Sequence, residues 1–241
     1  MIDRTVKTSL DSFVADLRAT HGGNLDGVMC YGAGAMGAAE SRGDYHVLVA
    51  LMRITPEDLR QAQAPTREWQ RMGYPLPLYF TVEELLNSAD VFPIEFYRMK
   101  RSRVMLYGND HFANMEISNA NLRHQTEYEL RSKLLQLRKL YIPASVSVGK
   151  LCDLMASSMS SFAALFTSVL LLEGREPTIE KMETVRAVMQ LVGGDIAPFA
   201  EVQSTCATNT ELPSLDEATG LFGRYFVEIE RVIEHVNRMA D

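Results

Sequence analysis

The residues with the clearest chemical potential lie between positions 32 and 46. Gly32-Ala33-Gly34-Ala35-Met36-Gly37 follows a short apolar stretch, Gly27 to Tyr31, and is itself followed by Asp44 and His46. Glycines permit positive φ, and a glycine-rich turn after a strand can turn backbone N–H groups towards phosphate oxygens. Asp44 and His46 stand two residues apart, so in a strand they share one face. A phosphate cradle facing a metal-binding strand is the geometry of metal-assisted phosphoryl or nucleotidyl transfer.

The same glycines also match G-x-G-x-x-G, the dinucleotide-binding pattern. That pattern needs a helix crossing to a parallel strand, which takes at least roughly ten to twelve residues. Only Ala38 to Gly43 lie between the last glycine and Asp44. The acid that would grip a ribose about 20 positions on is missing, because positions 50 to 54 read Ala-Leu-Met-Arg-Ile. The nicotinamide reading is rejected. A third reading needs no ligand: the glycines make a tight turn and nothing more.

The elements that must position these residues follow from periodicity. Val6, Leu10, Phe13, Val14 and Leu17 repeat at helical spacing up to Gly22-Gly23. Tyr45 to Met52 reads as a buried strand. Thr55-Pro56 opens a helix running past Trp69, Leu76 to Phe80 is a strand, and Thr81 to Glu84 is a capping box. Ile94 to Arg98 and Val104 to Tyr107 read as two strands joined by a basic turn. From about residue 119 the chain is helical. Leu130, Leu134, Leu137 and Tyr141 form one stripe. Leu151, Met155, Ser158, Phe162, Leu165, Val169 and Leu172 form a bundle seam. Ile179, Met182, Val185, Met189 and Val192 form another, stopped by Gly193-Gly194. The last helix opens with the Ser214 to Glu217 capping box, just after Pro213.

Composition narrows the class. Of 241 residues 46% are apolar, and 24 Lys plus Arg against 31 Asp plus Glu give a net charge of −7. A disordered or collagenous chain is excluded, and the acidic balance argues against a nucleic-acid coat. Cys30, Cys152 and Cys206 are too far apart in sequence for a metal motif or a disulfide framework, so free buried thiols in a reducing cytoplasm are expected. No secretory signal is evident at the N-terminus. The longest apolar run, Phe162 to Leu172, falls short of the ~20 residues that span a bilayer, so no membrane partner is expected.

Tyr31-Gly32-Ala33, ten further residues, and then Asp44-Tyr45-His46-Val47 fill a recognisable frame. With Asp90-Val91-Phe92-Pro93-Ile94-Glu95, this resembles the nucleotidyltransferase superfamily, the polymerase-beta-like fold. The resemblance implies an α+β domain over residues 1–118, a nucleotidyltransferase-like mixed sheet with flanking helices, and then an all-α helical bundle over 119–241. It implies a catalytic Asp44, nucleotide contacts from Gly32, Ala33, Gly34 and Gly37, and a metal held by Asp44, His46 and Glu95. The cofactor would be Mg²⁺ or Mn²⁺ with an NTP if the protein is active, and none otherwise.

Three departures stand out. The family's second Asp is His46, and imidazole suits softer metals than Mg²⁺. The strand Leu76 to Phe80 has no acid, leaving Glu95 as the replacement. The family's Ser is Ala33. These changes imply a degenerate site and a regulatory protein that binds a nucleotide, a small molecule or a protein partner. The alternatives are an active transferase with altered metal ligands and a non-catalytic oligomeric module, with a homodimer as its simplest form. The helical half also resembles HEPN-type domains in outline. Their ribonuclease pair would be Arg231 and His235, but only three residues separate them, against four to six in the family.

Overall fold

The first helix begins where a carboxylate can cap it. Asp3 accepts hydrogen bonds from the N–H groups of Thr5 and Val6, and α1 runs Arg4–His21. Gly22, at φ +52°, ends it by donating its N–H to the Arg18 carbonyl. The computed structural model describes residues 3–37, 39, 41–178, 180–206 and 214–239. Ala38, Ile179 and Pro213, which the sequence reading uses, lie outside the described residues. The chain divides into two units, Met1–Ser118 and Asn119–Asp241.

The first unit is α+β. Its strands are β1 (Leu25–Tyr31), β2 (His46–Leu51), β3 (Leu78–Thr81) and β4 (Arg103–Gly108), in the order β3-β2-β1-β4. β1 pairs antiparallel with β2 and β4, whereas β2 and β3 are parallel, so the sheet is mixed. Alternation sends Val28, Cys30, Val47, Val49 and Leu51 to one face, against Leu10, Phe13 and Leu17 of α1 and Trp69 of α3 (Gln63–Arg71). Met29, Leu48 and Ala50 take the other face, against Leu85 of α4 (Val82–Asn87), Phe96 and Met99 of α5 (Pro93–Arg101), and Phe112. A sheet covered on both faces explains why β2 is almost continuously apolar.

The capping signals are read correctly. Thr55 caps α2 (Pro56–Gln61) with Pro56 in its first turn, and Thr81 with Glu84 forms a reciprocal box on α4. Two expectations need correction. The helix after Thr55 breaks at Ala62 into α2 and α3. Ile94 to Arg98 is not a strand but lies inside α5, so Glu95 sits on a helix. Ile94, Phe96 and Arg98 mimic strand alternation. However, Pro93 fixes a helical first turn, and of the buried Pro93, Ile94, Phe96 and Met99, three recur at a spacing of three. Arg98, Lys100 and Arg101 therefore form the last turn of α5 rather than a hairpin, where cations complement the helix dipole.

The second unit contains α6 (Asn119–Ala144), α7 (Val148–Leu172), α8 (Lys181–Val192), α9 (Ala197–Glu201) with a π turn (Val202–Cys206), and α10 (Leu215–Arg238). The seam of α7 is buried as its spacing requires, with Leu151, Met155, Phe162 and Val169 at 1% exposure or less. Ser158 of this helix meets the Tyr225 hydroxyl of α10 at 2.9 Å. Among the described residues α7 is the one helix long and apolar enough to cross a membrane, but 56% of its apolar window is buried inside the protein. Gly193, at φ +64°, stops α8, and Ser214 and Glu217 form the expected box on α10. The cysteine expectation needs correcting as well. Cys152 and Cys206 are paired as a disulfide with a Cα separation of 4.7 Å, and Cys30 alone is free. Spacing in sequence gave no sign of a pairing that helix packing produces.

His21, at the end of α1, is 8% exposed, and among the described residues neither ring nitrogen has a hydrogen-bond partner. Burial holds its imidazole below the usual range, against the pull of Asp58. The unfolded chain then binds the extra proton first. Stability from this group is intact above about pH 6.5 and is lost as pH falls through that value towards the lower folded one. His21→Leu is expected to flatten the fall in urea midpoint between pH 7.5 and 5.5. An unchanged slope would assign the pH dependence elsewhere.

Candidate functional site

The glycine turn links β1 to β2. Register places Tyr31 opposite His46 on one side and opposite Arg103 on the other, so Gly32 leaves β1 between two neighbouring strands. Its N–H donates to the Ser102 carbonyl at 2.9 Å. Gly32 has φ +90°, and a Cβ there would stand 3.1 Å from the His46 ring. Gly34 comes closer still, since a Cβ would lie 2.4 Å from a ring carbon of Tyr45. Gly32 is thus favoured by its positive φ and Gly34 by its close approach to Tyr45, independently of any ligand.

That turn rests on an aromatic column. Phe13 stacks on Trp69 with centroids 4.7 Å apart, Trp69 stacks on Tyr74 at 3.9 Å, and Tyr74 meets Tyr45 edge-on at 6.3 Å. The Trp69 indole N–H donates to the Pro75 carbonyl at 2.9 Å. Arg42 lies over the Tyr74 ring and donates to the Met72 carbonyl at 2.6 Å. The segment carrying Asp44 is thus fixed to the same column.

The turn's N–H groups are already engaged. Gly34 donates to the Asp44 carbonyl, Ala35 to Gly32, Met36 to Ala33 and Gly37 to Gly34, all between 3.0 and 3.2 Å. Of Gly32 to Gly37, only Ala33 lacks a backbone acceptor among the described residues. A cradle needs several N–H groups aimed outward, and here they are aimed at backbone carbonyls, those of Gly32, Ala33 and Gly34 in the turn itself and those of Asp44 and Ser102 beside it.

Asp44 is occupied as well. It lies in a short 3-10 turn, Arg42–Asp44, and its carboxylate accepts from the Ser41 N–H at 2.8 Å and from the Ser41 hydroxyl at 3.2 Å. This is a capping box. His46 begins β2 half-buried, with its ring stacked on Tyr31 at 5.4 Å, and burial pushes the Tyr31 hydroxyl up to about 12. Glu95 is exposed in the first turn of α5, where a carboxylate complements the helix N-terminus. Among the described residues no three His, Cys, Asp or Glu side chains gather so as to hold a metal ion. Asp44, His46 and Glu95 do not form a ligand set, and their donors do not fit a Mg²⁺ pair.

A second polar cluster, unread in the sequence, occupies the opposite end of β1. The Asp26 carboxylate accepts from the Asn109 amide at 3.0 Å and meets His111 Nε2 at 2.5 Å. Two glycines pinch the strands there: a Cβ at Gly27 would stand 2.9 Å from the Asn109 carbonyl, and one at Gly108 would stand 1.9 Å from the Asp26 carbonyl. His111, with Leu86, Asp110, Asn114 and Glu116, lines a cavity of about 510 Å³. The run Gly108-Asn109-Asp110 was the available signal, because it is turn chemistry. Nothing in the sequence pairs it with Asp26.

In the helical unit Arg231 donates to Glu228 at 2.9 Å, and His235 meets Glu173 at 2.8 Å. Each side chain is held by a different carboxylate, so the two are not joined as a catalytic pair.

No protein-family model matches the chain, and no curated protein does. Among solved structures it is similar to a spectinomycin adenyltransferase from Enterococcus faecialis, determined with ATP and spectinomycin. The TM-score is 0.49 and the identity 12%, over 96% of this chain and 99% of that one. At those values, function rests on the residues themselves.

Proposed function

We propose that this chain is a nucleotidyltransferase-like protein that no longer performs metal-dependent transfer and acts by binding, in a regulatory role. The frame behind this reading is an apolar strand, a glycine turn, and an aspartate at the head of the antiparallel neighbour. The observation that carries the loss of catalysis is Asp44, whose carboxylate caps the Ser41 turn instead of joining His46 and Glu95 around a metal. Among the described residues Ala33 alone of this turn has an N–H without a backbone acceptor, so the turn offers a triphosphate little. The ligand is then a nucleotide or small molecule held without metal, or a protein partner. A cytoplasmic setting belongs to this reading.

Thermal unfolding against ATP, GTP, CTP and UTP, with Mg²⁺, Mn²⁺ or no metal, tests it. A ligand at 100 times its Kd stabilises by about 2.7 kcal/mol, or about 5–11 °C for a chain of this size. Any shift is expected to be independent of metal, and the same in Asp44→Ala measured against its own baseline. A metal-dependent shift abolished by Asp44→Ala would restore the active-transferase reading.

The oligomeric alternative has one observation in its favour. Tyr128, Leu135 and Ile142 of α6 are 69%, 62% and 73% exposed at seven-residue spacing, an apolar stripe that a second copy could cover. A sedimentation profile that stays monomeric at high concentration would remove it.

A further inference from the structure

The pairing of Cys152 and Cys206 joins two elements distant in sequence. Cys152 lies near the start of α7, and Cys206 closes the π turn 54 residues later. Their Cα separation of 4.7 Å falls within the range of roughly 4.4–6.8 Å that a disulfide spans. The segment they tether is weak by itself. The α9 helix has five residues and the π turn five more, far below the length at which a helix is stable alone. Its anchors are Val202 and Phe199, the latter packed edge-on against Phe166 and Tyr225. Single π turns are uncommon and concentrate at functional sites.

We propose that Cys152 and Cys206 form a reversible dithiol–disulfide pair whose oxidation clamps the α9–π segment onto α7. The oxidant is a small disulfide such as glutathione disulfide. The thiolate of Cys206, the less buried of the two at 5% exposure against 1%, attacks it. A mixed disulfide forms and one glutathione leaves as thiolate. The thiolate of Cys152 then attacks Cys206 Sγ and displaces the second glutathione. Two protein thiols are oxidised, one external disulfide is reduced to two thiols, and the two protons pass to the released thiolates. In a reducing compartment such pairs are characteristically transient and redox-sensing. Cys30 serves as an internal control. It is fully buried in β1, and burial pushes its thiol up to about 12, so it carries almost no thiolate at neutral pH.

The test uses the full chain, equilibrated across a series of reduced-to-oxidised glutathione ratios, quenched in acid, denatured and alkylated. Intact mass and peptide mapping are expected to show one two-electron transition that removes two alkylatable thiols and links the Cys152 and Cys206 peptides. Cys30 should be the thiol that remains. Amide hydrogen exchange across Ala197–Cys206 is expected to slow by about tenfold or more on oxidation, since the tether raises the cost of local opening. Cys152→Ala and Cys206→Ser should each abolish both effects, and either variant suffices if the other fails to fold. Three alkylatable thiols at every ratio, a linkage through Cys30, or a link that leaves exchange unchanged would each overturn the proposal.

Discussion

Trp69→Ala is expected to destabilise the α+β unit by about 3–5 kcal/mol, the range for deleting a large buried aromatic side chain. The indole is 0% exposed, stacked between Phe13 and Tyr74, with its N–H satisfied by the Pro75 carbonyl. Removing it opens a cavity, leaves that carbonyl without its donor and takes the support from Tyr74, on which Tyr45 and the glycine turn depend. Such a loss is a large share of the 5–15 kcal/mol that holds a domain folded. Circular dichroism during urea unfolding should show the midpoint falling by about 2 M if the m-value is near 2 kcal/mol/M. Trp69→Phe keeps one ring in the stack and should recover most of the difference. A loss below about 1 kcal/mol in the alanine variant would mean that the column bears little of the fold's stability.

Gly108→Ala is the second large effect. A Cβ at this position would lie 1.9 Å from the Asp26 carbonyl oxygen, and φ is +73°. The obstacle is backbone, so no side chain can swing aside. Overpacking and a left-handed non-glycine residue each cost about 1–3 kcal/mol, and a combined loss of about 3 kcal/mol or more is expected. The contacts of Asp26 with Asn109 and His111 should be lost in the same variant, visible as a changed His111 ring resonance by NMR. A variant as stable as the parent, with that resonance unmoved, would show that β1 and β4 can separate at this end without cost.

Much of the fold is legible because it depends on local signals. Thr81 and Glu84, or Ser214 and Glu217, act over three residues, and their boxes form as the spacing requires. The α7 seam is legible because its 3–4 periodicity runs through the whole helix. Ile94 to Arg98 misleads because three alternating residues are too few to separate a strand from a helix. The site was legible only as a frame. Gly32 and Gly34 lie in the turn after β1 and Asp44 just before β2, but what their atoms do is set by partners that spacing does not specify. Gly34 lies against Tyr45 because the column beneath it fixes that ring. Asp44 serves Ser41, three residues away, an alternative as local as any capping box yet overshadowed by the longer motif. The Asp26–His111 contact spans 85 residues and the cysteine pair 54. Both arise from tertiary packing and leave no periodic trace.

The glycine turn and Asp44 are held by packing and capping, so on the proposed reading no divalent metal is organised there. Binding of Mn²⁺ followed by electron paramagnetic resonance, with and without ATP, tests that most directly because it needs no acceptor substrate. The expected result is a free-Mn²⁺ signal matching that of ATP and buffer alone, unchanged by Asp44→Ala or His46→Ala. A protein-dependent bound Mn²⁺ that disappears in both variants would contradict it and identify a working metal centre.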